Sequence, residues 1–145
     1  MRILSIVTLI LSAAETPSLP MAAAKFVPGI SWQPKSALIA DFSCRGHREQ
    51  AILGMTPNEI VIAVFLNGLT EKPEVLRYSA AVRDRRTVKL TIEHLDYDPK
   101  EAVGVDLPGF QRSRVCQGLN LSDGKIDSAH IYWNHDTKQF DDWTL

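Results

Sequence analysis

Glu59-Ile60-Val61-Ile62-Ala63-Val64-Phe65-Leu66 is an unbroken apolar run behind one acid, and it decides the fold class. It is rich in β-branched side chains and too short for a buried helix, so it reads as a strand that is apolar on both faces. A central strand covered from each side has this composition. Thr56-Pro57-Asn58 turns the chain just before it, and Asn67-Gly68 opens a second turn that ends by Pro73. Gln50 to Met55 is the strand upstream. Downstream, Glu74 to Val82 is predicted as a strand, Arg83-Asp84-Arg85-Arg86 as a charged turn, and Thr87 to Leu95 as a strand that alternates cleanly. Val88, Leu90 and Ile92 face inward, and Thr87, Lys89, Thr91 and Glu93 outward. Short polar connections make the strands at 59–66, 74–82 and 87–95 one antiparallel meander.

Farther out the signals are shorter. Pro28, Gly29 and Pro34 make residues 25–35 an extended lead-in whose aromatics cover one end of the core, and Ser36 to Ser43 is a short strand. Asp98 to Val103 has the make-up of one helical turn, with Asp98 as cap and Pro99 at its first position. Leu107-Pro108-Gly109 is a turn, and residues 109–116 lead into a loop. Ser128 to Trp133 and Gln139 to Thr144 are the closing strands around a turn at 134–138. The fold class is therefore mainly β: a single small antiparallel β domain (meander, sandwich or partly open barrel) with at most one short helix.

The amino terminus reads as an address. Met1-Arg2 is basic, Ile3 to Leu11 is almost wholly apolar, Pro17 and Pro20 are read as breaking any helix, and Ala22-Ala23-Ala24 offers small residues to a peptidase. This is the layout of a secretory signal peptide over residues 1–24, cut after Ala24, with a cut after Ala14 as the alternative. The apolar run is too short for a membrane span of about 20 residues. The domain is then residues 25–145, periplasmic or secreted, without a membrane anchor, as a monomer or small oligomer. A net charge of −1 supplies no basic field for nucleic acid or anionic lipid. Cys44 and Cys116 are the only cysteines, and in an oxidising compartment they pair with each other. Such a bridge closes a loop of about 70 residues and, by chain entropy, contributes about 4 kcal/mol.

Two segments share the pattern Gly-x-x-acid-x-Ala-x-aliphatic: Gly46 to Leu53, and Gly124 to Ile131. The first continues a loop, Asp41-Phe42-Ser43-Cys44-Arg45-Gly46-His47-Arg48-Glu49, and the disulfide ties it near the approach to the second, making one constellation. The spacing Asp41-x-Ser43-x-Arg45-Gly46-x-x-Glu49 resembles the Asp-x-Asp-x-Asp-Gly-x-x-Asp loop of FG-GAP and related calcium-binding β-repeats. That resemblance implies Asp41, Ser43 and Glu49 as ligands, with Asp123 and Asp127 in the second copy. Arg45 departs from it by putting a cation where a ligand oxygen belongs, and Leu119 and Leu121 fill the first and third positions of the second copy. The alternative is a tight turn whose carboxylate bonds backbone N–H groups or Arg45 or Arg48.

No catalytic residues are assigned. The chain has no Gly-x-Ser-x-Gly, no His-Glu-x-x-His and no glycine-rich phosphate loop. Cys44 beside His47 has the composition of a thiol nucleophile with its base, but an oxidised sulfur does not attack. His130 and His135 need a converging third ligand to hold zinc. Asp141-Asp142 beside Trp143 has the make-up of a sugar site. The last hairpin concentrates Tyr132, Trp133, His135, Asp141, Asp142 and Trp143, residue types that anchor protein interfaces when exposed. With Arg45, His47 and Arg48 they form the predicted partner-binding set. By analogy of size, address and missing catalytic motif, the expectation is a non-catalytic exported protein that occludes another macromolecule. The class is an inhibitor or immunity protein against a cell-wall-degrading enzyme or secreted effector toxin. A calcium-dependent secreted structural module and a glycan-acting hydrolase are the alternatives.

Overall fold

The structure, a computed structural model, describes residues 15–145. The first part of the leader assignment, residues 1–14, lies outside the described residues. The first element is a helix, α1 (Leu19–Phe26), where prolines were expected to forbid one. Pro20 sits in its first turn, where the missing N–H has no intrahelical partner anyway, so the ring fits without disruption. The 25–35 segment is accordingly less extended than expected. It completes α1, forms β1 (Ser31–Trp32), and then turns through a 3-10 helix at Pro34–Ser36.

Next come β2 (Leu38–Ala40), β3 (Glu49–Met55), β4 (Glu59–Phe65) and β5 (Glu74–Ser79), the first antiparallel sheet. β3 pairs with β4, and β4 with β5, while β1 and β2 share the outer edge of β3 at its two ends. Gly54 in β3 faces that edge; a Cβ there would collide with the side chains of Ile30 and Trp32, so β1 approaches closely only because position 54 is bare.

The predicted meander breaks after β5. The following strand, β6 (Lys89–Leu95), leaves the first sheet and opens a second with β7 (Ser113–Ser122), β8 (Ala129–Asn134) and β9 (Gln139–Trp143), in that order and all antiparallel. β7 is the longest strand and was expected to be largely loop. Its glycine, its polar residues and the break in alternation near Cys116 mask the period-2 signal. Between them, α2 (Lys100–Val103) is the predicted single turn, with the Asp98 carboxylate accepting the Lys100 N–H at 3.0 Å.

The two sheets pack face to face as a sandwich. Leu53, Met55, Ile60, Ile62 and Val64 of the first sheet meet Val88, Leu90, Leu119, Leu121 and Ile131 of the second. β4 is buried on both faces, as its composition required. Ala63 and Phe65 point away from the sandwich interior and, with Ile52, are covered by Leu19, Ala22 and Ala23 of α1. The outer face of the second sheet is partly covered by residues 96–112, whose Tyr97, Leu107 and Phe110 pack on Leu95, Cys116 and Tyr132. No helix among the described residues is long and apolar enough to cross a membrane.

Candidate functional site

The disulfide Cys44–Cys116 joins the loop between β2 and β3 to the start of β7, with the Cα atoms 5.0 Å apart. Glu49, the first residue of β3, is 1% exposed and turns its carboxylate back into the loop. One oxygen accepts the Phe42 and Ser43 N–H groups at 2.9 and 2.8 Å; the other accepts the Ser43 hydroxyl and the Arg45 guanidinium. Arg45 also donates to Ser43 Oγ, Asn67 Oδ1 and the Leu66 carbonyl. Asp41 accepts the Arg45 and Gly46 N–H groups at 3.0 and 2.8 Å. Thus the oxygens that the calcium-loop resemblance assigns as ligands face N–H groups and a guanidinium. The fixed cation at the centre of the loop is Arg45 itself. Arg45, one of the residues expected to reach a partner, uses its head group to brace the loop while its side chain stays 41% exposed.

His47 and Arg48 are different. Both are exposed, and neither side chain has a hydrogen-bond or ion-pair partner among the described residues. The bridge ties their loop to a segment that the motifs did not single out. β6 and β7 lose register between His94 and Leu95, so that Leu95 pairs with Ser113 and His94 with Gln117. The extra residues bulge outward, held by Ser113 Oγ, which accepts the Val115 and Cys116 N–H groups. Arg114 is exposed, and Val115 is 84% exposed, the most open large apolar residue of the described chain. Arg112 anchors one flank by donating to the Asp96 carbonyl at 2.8 Å, beside a shallow groove lined by Asp96, Arg112, Ser113 and Arg114. Arg114 and Val115 flank Cys116 directly, so the disulfide assignment alone was enough to place them next to Arg45.

The second Gly-x-x-acid loop does not join this site. Asp123 lies at the opposite end of β7 from Cys116, roughly 23 Å away at about 3.3 Å per strand residue. The single constellation expected from the bridge is therefore two separate loops. Asp123 is buried and accepts the Asp84, Lys125 and Ile126 N–H groups. Those N–H bonds hold its carboxyl down at a pKa of about 2. The side chains of Arg86 and Lys125 hold the Asp84 carboxyl well below the usual carboxylate range. Asp127, the counterpart of Glu49 in the sequence echo, is exposed and accepts nothing among the described residues. Asp41, Ser43 and Glu49 do not converge with Asp123 and Asp127, and no group of three or more His, Cys, Asp or Glu with metal-binding geometry occurs among the described residues.

Of the last hairpin, β8 is inside and β9 is largely exposed. Tyr132 is 2% and Trp133 8% exposed, so neither is an exposed anchor, because both faces of β8 are covered. Ile131 and Trp133 face the sandwich, where Trp133 meets Phe140 edge-on. Tyr132 lies under residues 96–112, donates its hydroxyl to the Pro108 carbonyl at 2.9 Å, and burial pushes it up to about 12. Beyond β8, His135 is half-buried and ties the turn to Gly109 through its backbone N–H. Gly109 must be glycine, since its φ is 62° and a Cβ would land on the Asn134 side chain. Asp141 and Asp142 are exposed on β9 and line one shallow groove with Leu76, Arg77, Tyr78 and Phe140. Asp142 sits beside the Tyr78 hydroxyl, which burial and then that carboxylate raise.

Trp143 stacks on His130 at 4.0 Å, and His130 Nδ1 lies 2.6 Å from Glu93 Oε1. Burial raises the Glu93 carboxyl, and His130 opposes that rise. This pair spans β6 to β8 because Gly118, opposite Glu93 in β7, puts no side chain between them. Sequence analysis missed the pair, since nothing local links residues 93 and 130. His130 and His135 do not share a site. No protein-family model, no curated protein and no solved structure matches this chain.

Proposed function

We propose that the chain is an exported, non-catalytic binding protein that occludes a protein partner, a cell-wall-degrading enzyme or a secreted effector. It does so by pressing the 44–48 loop and the adjoining 112–115 bulge against carboxylates in the partner's cleft. The observation that carries this is the division of labour within the loop. Glu49, Arg45 and the disulfide fix the backbone, while His47, Arg48 and Arg114 remain uncommitted and Val115 is exposed on the tethered bulge. A loop already held in its binding shape loses little conformational entropy on association. Cationic side chains at its tip complement enzymes that cleave glycans with paired carboxylates. The contact would have an apolar centre with a charged rim, the usual make-up of an interface anchor.

The test uses the exported protein as bait in periplasm and culture fluid, beside a variant carrying Arg48→Glu and Arg114→Glu. A hydrolase captured by the first and not by the second, and whose activity falls on adding the first, supports the proposal. Capture that ignores both charge reversals while the variant stays folded removes the loop from the interface.

A further inference from the structure

We propose that the leader is cut between Ala14 and Glu15, so that α1 remains on the mature domain as a structural element. Two places offer small residues at the first and third positions before a cut: Ser12-Ala13-Ala14 and Ala22-Ala23-Ala24. The small residues alone suit either cut, and packing distinguishes them. Leu19, Ala22 and Ala23 are all nearly inaccessible and lie on Ile52, Ala63 and Phe65, which are themselves fully buried. Phe26, at the end of the helix, sets its ring 6.2 Å from that of Phe65. Ser18 and Ala23 contribute carbonyls to bonds from the Ala22 and Val27 N–H groups, so the segment is hydrogen-bonded from 18 to 27.

Loss of residues 1–24 would strip this cover from the outer face of β3 and β4. A contiguous apolar patch would be left on a protein bound for water, where such patches promote association. The earlier cut also falls directly after the apolar run Ile3–Leu11, where secretory leaders end. The chemistry is hydrolysis by a leader peptidase. Water adds to the Ala14 carbonyl carbon and the Ala14–Glu15 C–N bond breaks, leaving a carboxylate on Ala14 and an ammonium on Glu15.

The test is the amino-terminal sequence and intact mass of the full chain after export from a Gram-negative host, alone and as Ala14→Arg and Ala24→Arg variants. The expected mature chain begins at Glu15; Ala14→Arg accumulates uncut precursor, and Ala24→Arg is processed normally. A first residue of Lys25, or any start other than Glu15, overturns the proposal, as does a block by Ala24→Arg alone. A second measurement is independent of the peptidase. Chains made as 15–145 and 25–145 are melted side by side, and the shorter should melt at least about 8 °C lower, as loss of several core side chains requires. Equal melting temperatures would mean that α1 is dispensable.

Discussion

Glu49 shows how much one buried carboxylate organises. Its two oxygens meet two backbone N–H groups, a hydroxyl and a guanidinium, so removing it strands several donors at once. Glu49→Ala should destabilise the fold by about 3 kcal/mol in urea titration, and Glu49→Gln by less, since an acceptor oxygen remains. The sequence pointed to a carboxylate that closes a turn on backbone N–H groups, and Glu49 does that. It also named Arg45 as a partner for that carboxylate, which the ion pair with Glu49 bears out; it did not reveal that Arg45 reaches on to Leu66 and Asn67, which come from a distant turn. Asp123 gives a pH-dependent counterpart. Its pKa is lowered on folding, so its stabilisation is complete above the unfolded value near 4 and disappears as pH falls through about 2. The stability advantage of the native chain over Asp123→Asn should be full at pH 6. It should be lost between about pH 4 and pH 2 in denaturant titrations.

Among elements, the 41–49 loop and the 112–116 bulge behave as one piece because a covalent bond spans a sequence separation of 72. Replacing both cysteines by serine should cost about 4 kcal/mol by loop-closure entropy. On the proposed function it should also weaken partner binding, read by calorimetry, because the tip is no longer pre-ordered. β8 makes the opposite point. Tyr132 was expected in the partner-binding set, but residues 96–112 fold over its face of the strand. Tyr132→Phe should therefore lower stability by about 1 kcal/mol, from the lost bond to Pro108, and leave partner affinity unchanged. β7 was hidden because its bulge interrupts alternation where the disulfide lands.

At the scale of the whole molecule, two meandering sheets close on one apolar layer, with α1 on one outer face and residues 96–112 on the other. The candidate calcium ligands lie at opposite ends of β7, and the first loop already encloses a guanidinium. A thermal melt with excess chelator should therefore superimpose on one with millimolar calcium; a shift of several degrees would restore a role for the cation.

The sequence by itself determined the class of fold, the paired cysteines and most strand cores. Those properties follow from local composition: β-branched runs and turn residues act over a few positions, and two cysteines leave a single pairing. It also supplied the short helical turn after Asp98, which begins one residue later than expected with Pro99 as its cap, and the carboxylate at Glu49. Only the tertiary structure decided which sheet β6 joins, that α1 shields Phe65, that Glu93 reaches His130, and which loop residues are left free to bind. Each of these depends on groups tens of residues apart competing for the same surface, and no local pattern records the outcome of that competition.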